Sequence, residues 1–263
     1  MTTITHLAAV GSLLRQWRER RKLSQLDLAG EAEVSTRHLS FIESGRSAGS
    51  REMLLRLGER LAMPLRAQNH LLLAGGYAPV YAERPLNAPD MIAAKVAVDS
   101  ILEGHRPFPA LAVDRHWTLV AANDAVKALL AGIAPILLEP PVNVLRLTLH
   151  PDGLATRIEN LEEWRAHLLH RLQAQIDQSG DSVLTALLEE LASYPVRSGT
   201  QRHTRPDGIV VPLRLRGEHG NVLSFLSTTT VFGTPIDITL SELALECFYP
   251  ADQATREALL LRK

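Results

Sequence analysis

The chain reads as a two-domain protein, mostly α with α+β: an N-terminal bundle of five short helices, then a C-terminal antiparallel sheet covered by helices. Three observations predict this. Short amphipathic helical segments follow one another up to the glycine pair Gly75–Gly76, the stretch YAPVYAERPLNAP from Tyr77 to Pro89 interrupts them with three prolines, and alternating apolar runs of strand type appear only beyond it. The expected organisation is a helical domain over 1–78, a linker over 79–88 and a sheet domain over 89–263.

In order, residues 8–22 form a first helix with Leu14 and Trp17 at helical spacing and a basic end, RERRK, open to two readings: a solvated helix end that complements the helix dipole, or a phosphate contact. Ser24 caps a second helix to about Ala32. Ser35 caps a third from Thr36 to about Ser44, which Gly45 ends. Leu26, Ala29, Val34, Leu39 and Ile42 are expected to meet and fix the crossing. Rotation by about 100° per residue turns Leu39 and Ile42 inward and leaves Arg37, Ser40, Phe41 and Ser44 outward, with Thr36 at the tip. A fourth helix spans 50–62, with Met53, Leu54, Leu57 and Leu61 toward the core, and a fifth follows Pro64. Residues 1–78 carry 11 Lys and Arg against 7 Asp and Glu, while the remainder carries 17 against 22. Only the first segment suits a polyanion, and its excess is small enough that affinity calls for two modules side by side and falls with salt.

The stretch LSQLDLAGEAEVSTRHLSFIESGR (Leu23 to Arg46) resembles the Cro and repressor class of helix-turn-helix domains, and more closely the MmyB-like bacterial regulators; the likeness is dense over residues 11–82. The resemblance implies double-stranded DNA as partner, with Gln25, Ser35, Ser44 and Arg46 on phosphates and Thr36, Arg37, Ser40 and Phe41 on base edges. It also implies a structural ion pair between Arg18 and Glu43. Two positions depart from the class. Glu33 stands where glycine is usual, so a left-handed backbone there costs about 1 kcal/mol unless the turn differs, and Gly49 stands where proline is common.

Beyond the linker, Pro89 to Gly104 reads as a helix with Met91, Ile92, Val96, Ile101 and Leu102 on a wide apolar stripe. ALAVD and WTLVAA follow as short strands with a turn at Asp114–His116, and Asn123 caps a helix to Leu130. Helices over 160–177 and 182–192, a polar loop, the hairpin IVVPLRLRG and NVLSFLSTTTVFG, ITLSELALECFYP and a short helix complete the chain. This order suits an antiparallel sheet with helices over one face, as in PAS-type sensors. RPFPALAVDRHWTLVAAN, NVLRLTLHPDG and LSFLSTTTVFGTPIDITLSELALECFYPAD resemble the C-terminal domain of the MmyB-like regulators, which extends the likeness to residue 252. It implies a PAS-like ligand-binding and dimerisation domain around an apolar cavity, with a fatty acid or similar apolar molecule as effector. Phe108, Trp117, Leu129, Phe225 and Phe232 are either its lining or ordinary core. Arg146, among apolar residues, meets either a carboxylate head group or a neighbouring Asp or Glu.

Other chemistry finds little footing. His167 and His170 stand three apart on a helix without a third ligand at matching spacing, so no metal site is expected. GxGxxG, GxxxxGK and GxSxG elements are absent, and no catalytic residue or cofactor is expected. Cys247, the one cysteine, lies in an apolar run and reads as a buried thiol. No apolar window is long enough to cross a bilayer and no signal-type start is seen, which predicts a cytoplasmic protein without membrane contact. Two functions remain: a ligand-responsive DNA-binding transcription regulator acting as a homodimer, or a protein-interaction scaffold that pairs through the PAS-like domain with auxiliary DNA binding.

Overall fold

The computed structural model describes residues 2–195, 210–217 and 220–261. The chain divides into two compact units. One comprises Met1–Arg84 with Asp177–Ser179 and Thr234–Ser241, the other Pro85–Ile176, Gly180–Gly233 and Glu242–Lys263.

The first unit begins with α1 (Thr2–Arg20), α2 (Gln25–Glu31), α3 (Thr36–Glu43), α4 (Arg51–Arg60) and α5 (Leu65–Ala74). Serines start three of them: the hydroxyls of Ser24, Ser35 and Ser50 accept from the backbone N–H of Asp27, His38 and Met53, and Asp27 returns a bond to the Ser24 N–H. These bonds satisfy N–H groups that a helix start otherwise leaves open. Leu14, Trp17, Leu28, Ala29, Leu39, Ile42, Leu54, Leu57, Leu61 and Leu72 form the shared core. Leu26, expected inside, is 70% exposed, and Leu28 takes its place beside Ala29. Arg21 of the basic run donates to the carbonyls of Leu61 (2.8 Å) and Ala62 (2.9 Å) at the end of α4, a structural use of that charge.

Part of the expected linker is fastened to the bundle. The Asn69 side chain of α5 accepts from Val80 N (2.9 Å) and Tyr81 N (3.1 Å) and donates to Tyr81 O (2.7 Å). Further on, Ile238 N donates to Ala82 O at 2.8 Å and Arg84 pairs with buried Asp237 at 3.1 Å.

The second unit holds α6 (Ile92–Gly104), β1 (Ala110–Val113), β2 (Leu119–Ala122), α7 (Asp124–Leu129), α8 (Val144–Leu149), α9 (Leu161–Ser179, its last residues counted with the first unit), α10 (Ser182–Ser193), β3 (Leu213–Arg216) and β4 (Val222–Val231). After α11 (Ile238–Ser241) in the first unit come β5 (Ala244–Pro250) and α12 (Gln253–Leu260). The strands are antiparallel in the order β2-β1-β5-β4-β3, with Ala112 opposite both Ala121 and Leu245, and Phe225 opposite both Leu213 and Pro250. Most of the polar loop expected before the hairpin lies outside the described residues.

Helices cover both faces of the sheet, not one. Leu111, Val113, Leu215, Leu223 and Phe225 meet Leu145, Leu149, Leu168, Leu172 and Leu187 of α8, α9 and α10, whereas Ala110, Ala112, Leu245 and Cys247 meet Val98 and Leu102 of α6. Successive strand residues point to opposite faces, so β1 is buried throughout. Consequently α6 turns Met91, just ahead of it, and Val98 and Leu102 inward. Ile92 (61%) and Val96 (57%) of the expected stripe stay exposed. NVLRLTL is the helix α8, with Leu145, Leu147 and Leu149 buried. Among the described residues no helix is long and apolar enough to cross a membrane.

Candidate functional sites: the reading helix and the interior of the sheet domain

α3 is held from behind on every side that matters. Leu39 and Ile42 are fully buried, and Glu43 at its last turn receives the Arg18 guanidinium through two bonds of 2.7 and 2.8 Å. Gln25 adds a third bond to the same carboxylate at 2.9 Å, and Arg18 also donates to Leu23 O at 2.9 Å. The hydrogen bonds and charge of Glu43 push the Arg18 guanidinium above its usual range. α1 comes so close that a methyl group on Gly11 would stand 2.5 Å from the carbonyl oxygens of Ile42 and Glu43; the sequence singles out no such role for Gly11. Glu33 adopts a left-handed conformation (φ 54°) in the turn ahead of α3, and Gly49 lies at φ 65°, a value that proline cannot take.

With its back fixed, α3 presents the expected face. Arg37, Ser44 and Arg46 are exposed, and Thr36, Ser40 and Phe41 are partly so. The guanidinium groups of Arg37 and Arg46 lie 5.4 and 5.9 Å from the centre of the Phe41 ring. This explains an aromatic residue on a polar face, since a ring can hold cations in place at a cost of little area. Ser35 spends its hydroxyl on the cap, Ser44 donates to Phe41 O at 3.2 Å, and Gln25 lies against Glu43.

In the sheet domain the candidate lining residues divide between the clusters on the two faces of the sheet. Phe225 and Trp117 are buried in the cluster under α8–α10, and Phe108 and Leu129 pack against it. Phe232, just beyond the end of β4, packs against the opposite cluster, with Val98 and Leu245. Trp117 lies ahead of β2, not in it, in a left-handed turn (φ 65°) whose N–H groups at His116 and Thr118 are taken by Asp114. Its indole N–H donates to Gln175 at 2.9 Å. Arg146 forms a two-pronged pair with Glu190 of α10 at 2.7 Å, the second of its two readings. That bond raises the arginine pKa and lowers that of Glu190.

A family model described as the MmyB-like transcription regulator ligand binding domain matches residues 94–261, and a helix-turn-helix domain model matches residues 9–71. Among solved structures, one of the clp gene regulator ClgR from Corynebacterium glutamicum is 27% identical over 27% of this chain and 88% of its own, with a TM-score of 0.24. A second of the same regulator is 24% identical over 39% and 95%, with a TM-score of 0.24. No curated protein matches the chain. The helix-turn-helix in the first unit and the five-stranded sheet in the second therefore have one common explanation: the chain belongs to the MmyB-like transcription regulators, a DNA-binding helix-turn-helix domain joined to a ligand-binding domain.

Proposed function

We propose that this regulator grips its operator as a homodimer, one α3 in each major groove, and that a small apolar effector, a fatty acid or similar molecule, in the PAS-like domain shifts the spacing or tilt of the two α3 helices. The observation that carries the proposal is the two-sidedness of α3, with Leu39 and Ile42 sealed and Arg37 and Arg46 outward around Phe41. Exposed Ile92 and Val96 on α6 favour pairing through the second domain. The match to a ligand-binding domain model over residues 94–261 favours a small-molecule effector.

Gel-shift titration of the full chain on its own promoter DNA tests the assignment. Arg37→Ala is expected to relax base preference at one position by about 1–3 kcal/mol, and Arg46→Ala to weaken all sequences alike and reduce the salt slope. If neither change affects binding, the protein is the scaffold of the alternative reading, with DNA binding incidental. An operator affinity that stays constant while a bound effector is titrated in removes the switch.

A further inference from the structure

The outward side of α3 offers a narrow choice of chemistry. Phe41 stands there partly exposed and takes no share in the core that Leu28, Leu39, Ile42 and Leu54 build beneath it. A lone ring at a surface is ordinary, but this one is fixed in place. Gly45, in the left-handed conformation (φ 71°), turns the chain back after the helix, and the Arg46 N–H donates to Phe41 O at 2.8 Å. The Arg46 guanidinium thus comes to the same ring as that of Arg37. Neither guanidinium has an ion-pair or hydrogen-bond partner among the described residues. Two like charges gathered on one ring, with no carboxylate to answer them, suit an electron-rich partner from outside.

The other side chains limit which bases can be read. In the major groove guanine shows two acceptors, adenine calls for a side-chain amide, the amino group of cytosine calls for a carboxylate, and thymine alone carries a methyl group. Between Thr36 and Glu43 the sequence TRHLSFIE holds no Asn or Gln. Its carboxylate, Glu43, is 3% exposed and taken by Arg18 and Gln25, which also occupies the amide of Gln25. His38 lies about 100° round the helix from Arg37 and is partly buried. The hydroxyls of Thr36 and Ser40 suit any base. What remains with a preference is one forked donor, Arg37, and one apolar ring.

We propose that α3 reads a guanine and the thymine beside it, Arg37 donating to O6 and N7 of the guanine while the Phe41 ring covers the 5-methyl group of the thymine. The inference rests on the α3 reading above and names the bases it selects. Spacing favours neighbours: the Arg37 guanidinium is 5.4 Å from the ring centre, whereas bases two steps apart are separated by about 6.8 Å along the axis. Arg46 stays on the backbone.

Footprinting of the full chain on its own promoter DNA first delimits the site. Duplexes of that site then carry deoxyuridine for one thymine at a time, which removes only the methyl group, or 7-deazaguanine for one guanine at a time, which removes the N7 acceptor. Affinities are read by fluorescence anisotropy at low salt, where backbone contacts keep weakened variants bound. At least one thymine is expected at which deoxyuridine weakens the wild-type protein by about three- to tenfold, with a sensitive guanine directly next to it. Phe41→Ala should lose the deoxyuridine effect and keep the guanine effect, and Arg37→Ala the reverse; both residues lie outside the core of the first unit, so both variants should keep the helical circular dichroism of the wild type. The inference is overturned if the wild-type scan finds no sensitive thymine, if deoxyuridine weakens Phe41→Ala as much as the wild type, or if the sensitive thymine and guanine are not adjacent, and each of these leaves DNA binding through α3 in place. Absence of any footprint removes that reading, and the inference with it.

Discussion

Replacing Arg18 by methionine strikes the joint that fixes the reading helix. Glu43 has 3% of its side chain exposed and Arg18 10%, so the pair is desolvated, and the carboxylate is held by two arginine bonds and one from Gln25. Arg18→Met leaves Gln25 as the only one of these donors and strands a buried charge, at an expected cost of about 3–5 kcal/mol. A small domain has roughly 5–15 kcal/mol to lose, so the variant should melt early and bind DNA poorly at 37 °C, roughly physiological temperature. Glu43→Met should cost less, about 2–3 kcal/mol, because Arg18 keeps its bond to Leu23 O and has Glu19 at 4.0 Å. The double variant, which removes both charges, should recover most of the loss. Urea denaturation of the four proteins closes the cycle. Additive single losses, or losses below about 1 kcal/mol for each, would show that Leu39 and Ile42 position α3 unaided and that the ion pair is incidental.

Gly11→Ala should destabilise the first unit by about 1–3 kcal/mol despite the better helix propensity of alanine, since its methyl would stand 2.5 Å from two carbonyl oxygens at the end of α3; thermal melts check this. Glu33→Gly should stabilise by about 0.5–1 kcal/mol by relieving a side chain held at φ 54°, and a lower midpoint in urea would refute it. Gly49→Pro should cost about 3 kcal/mol or more because φ 65° lies outside the proline range, as denaturation would show. Burial and the Glu190 carboxylate push the Tyr194 phenol up to about 12. Its contribution is complete below the unfolded value of about 10 and is lost as pH rises from there through the folded one; Tyr194→Phe should flatten that part of the stability profile.

Much of this protein was legible locally. Ser24, Ser35 and Asn123 begin helices because a short polar side chain reaches its own backbone, an event complete within four residues. The outward set Arg37, Ser40, Phe41 and Ser44 follows from helical rotation once Leu39 and Ile42 are known to face inward. Long-range decisions were not legible. Leu26 and Leu28 are equally apolar, and only the packing of α3 and α4 on α2 selects Leu28 for burial. The fate of Ile92 and Val96 depended on the sheet that accepts the far side of α6.

By itself, then, the sequence determined the order of the elements, the serine-capped reading helix with its exposed arginines, and the Arg18–Glu43 pairing carried by family likeness. Tertiary structure alone decided that both faces of the sheet are covered, that Phe232 parts from Phe225, that Gly11 is a contact point, and that Arg146 belongs to Glu190. The physical reason is range. Capping and periodicity act over a turn or a pleat, whereas burial and ion pairing are set by partners dozens of residues away, which approach only when the whole chain has closed.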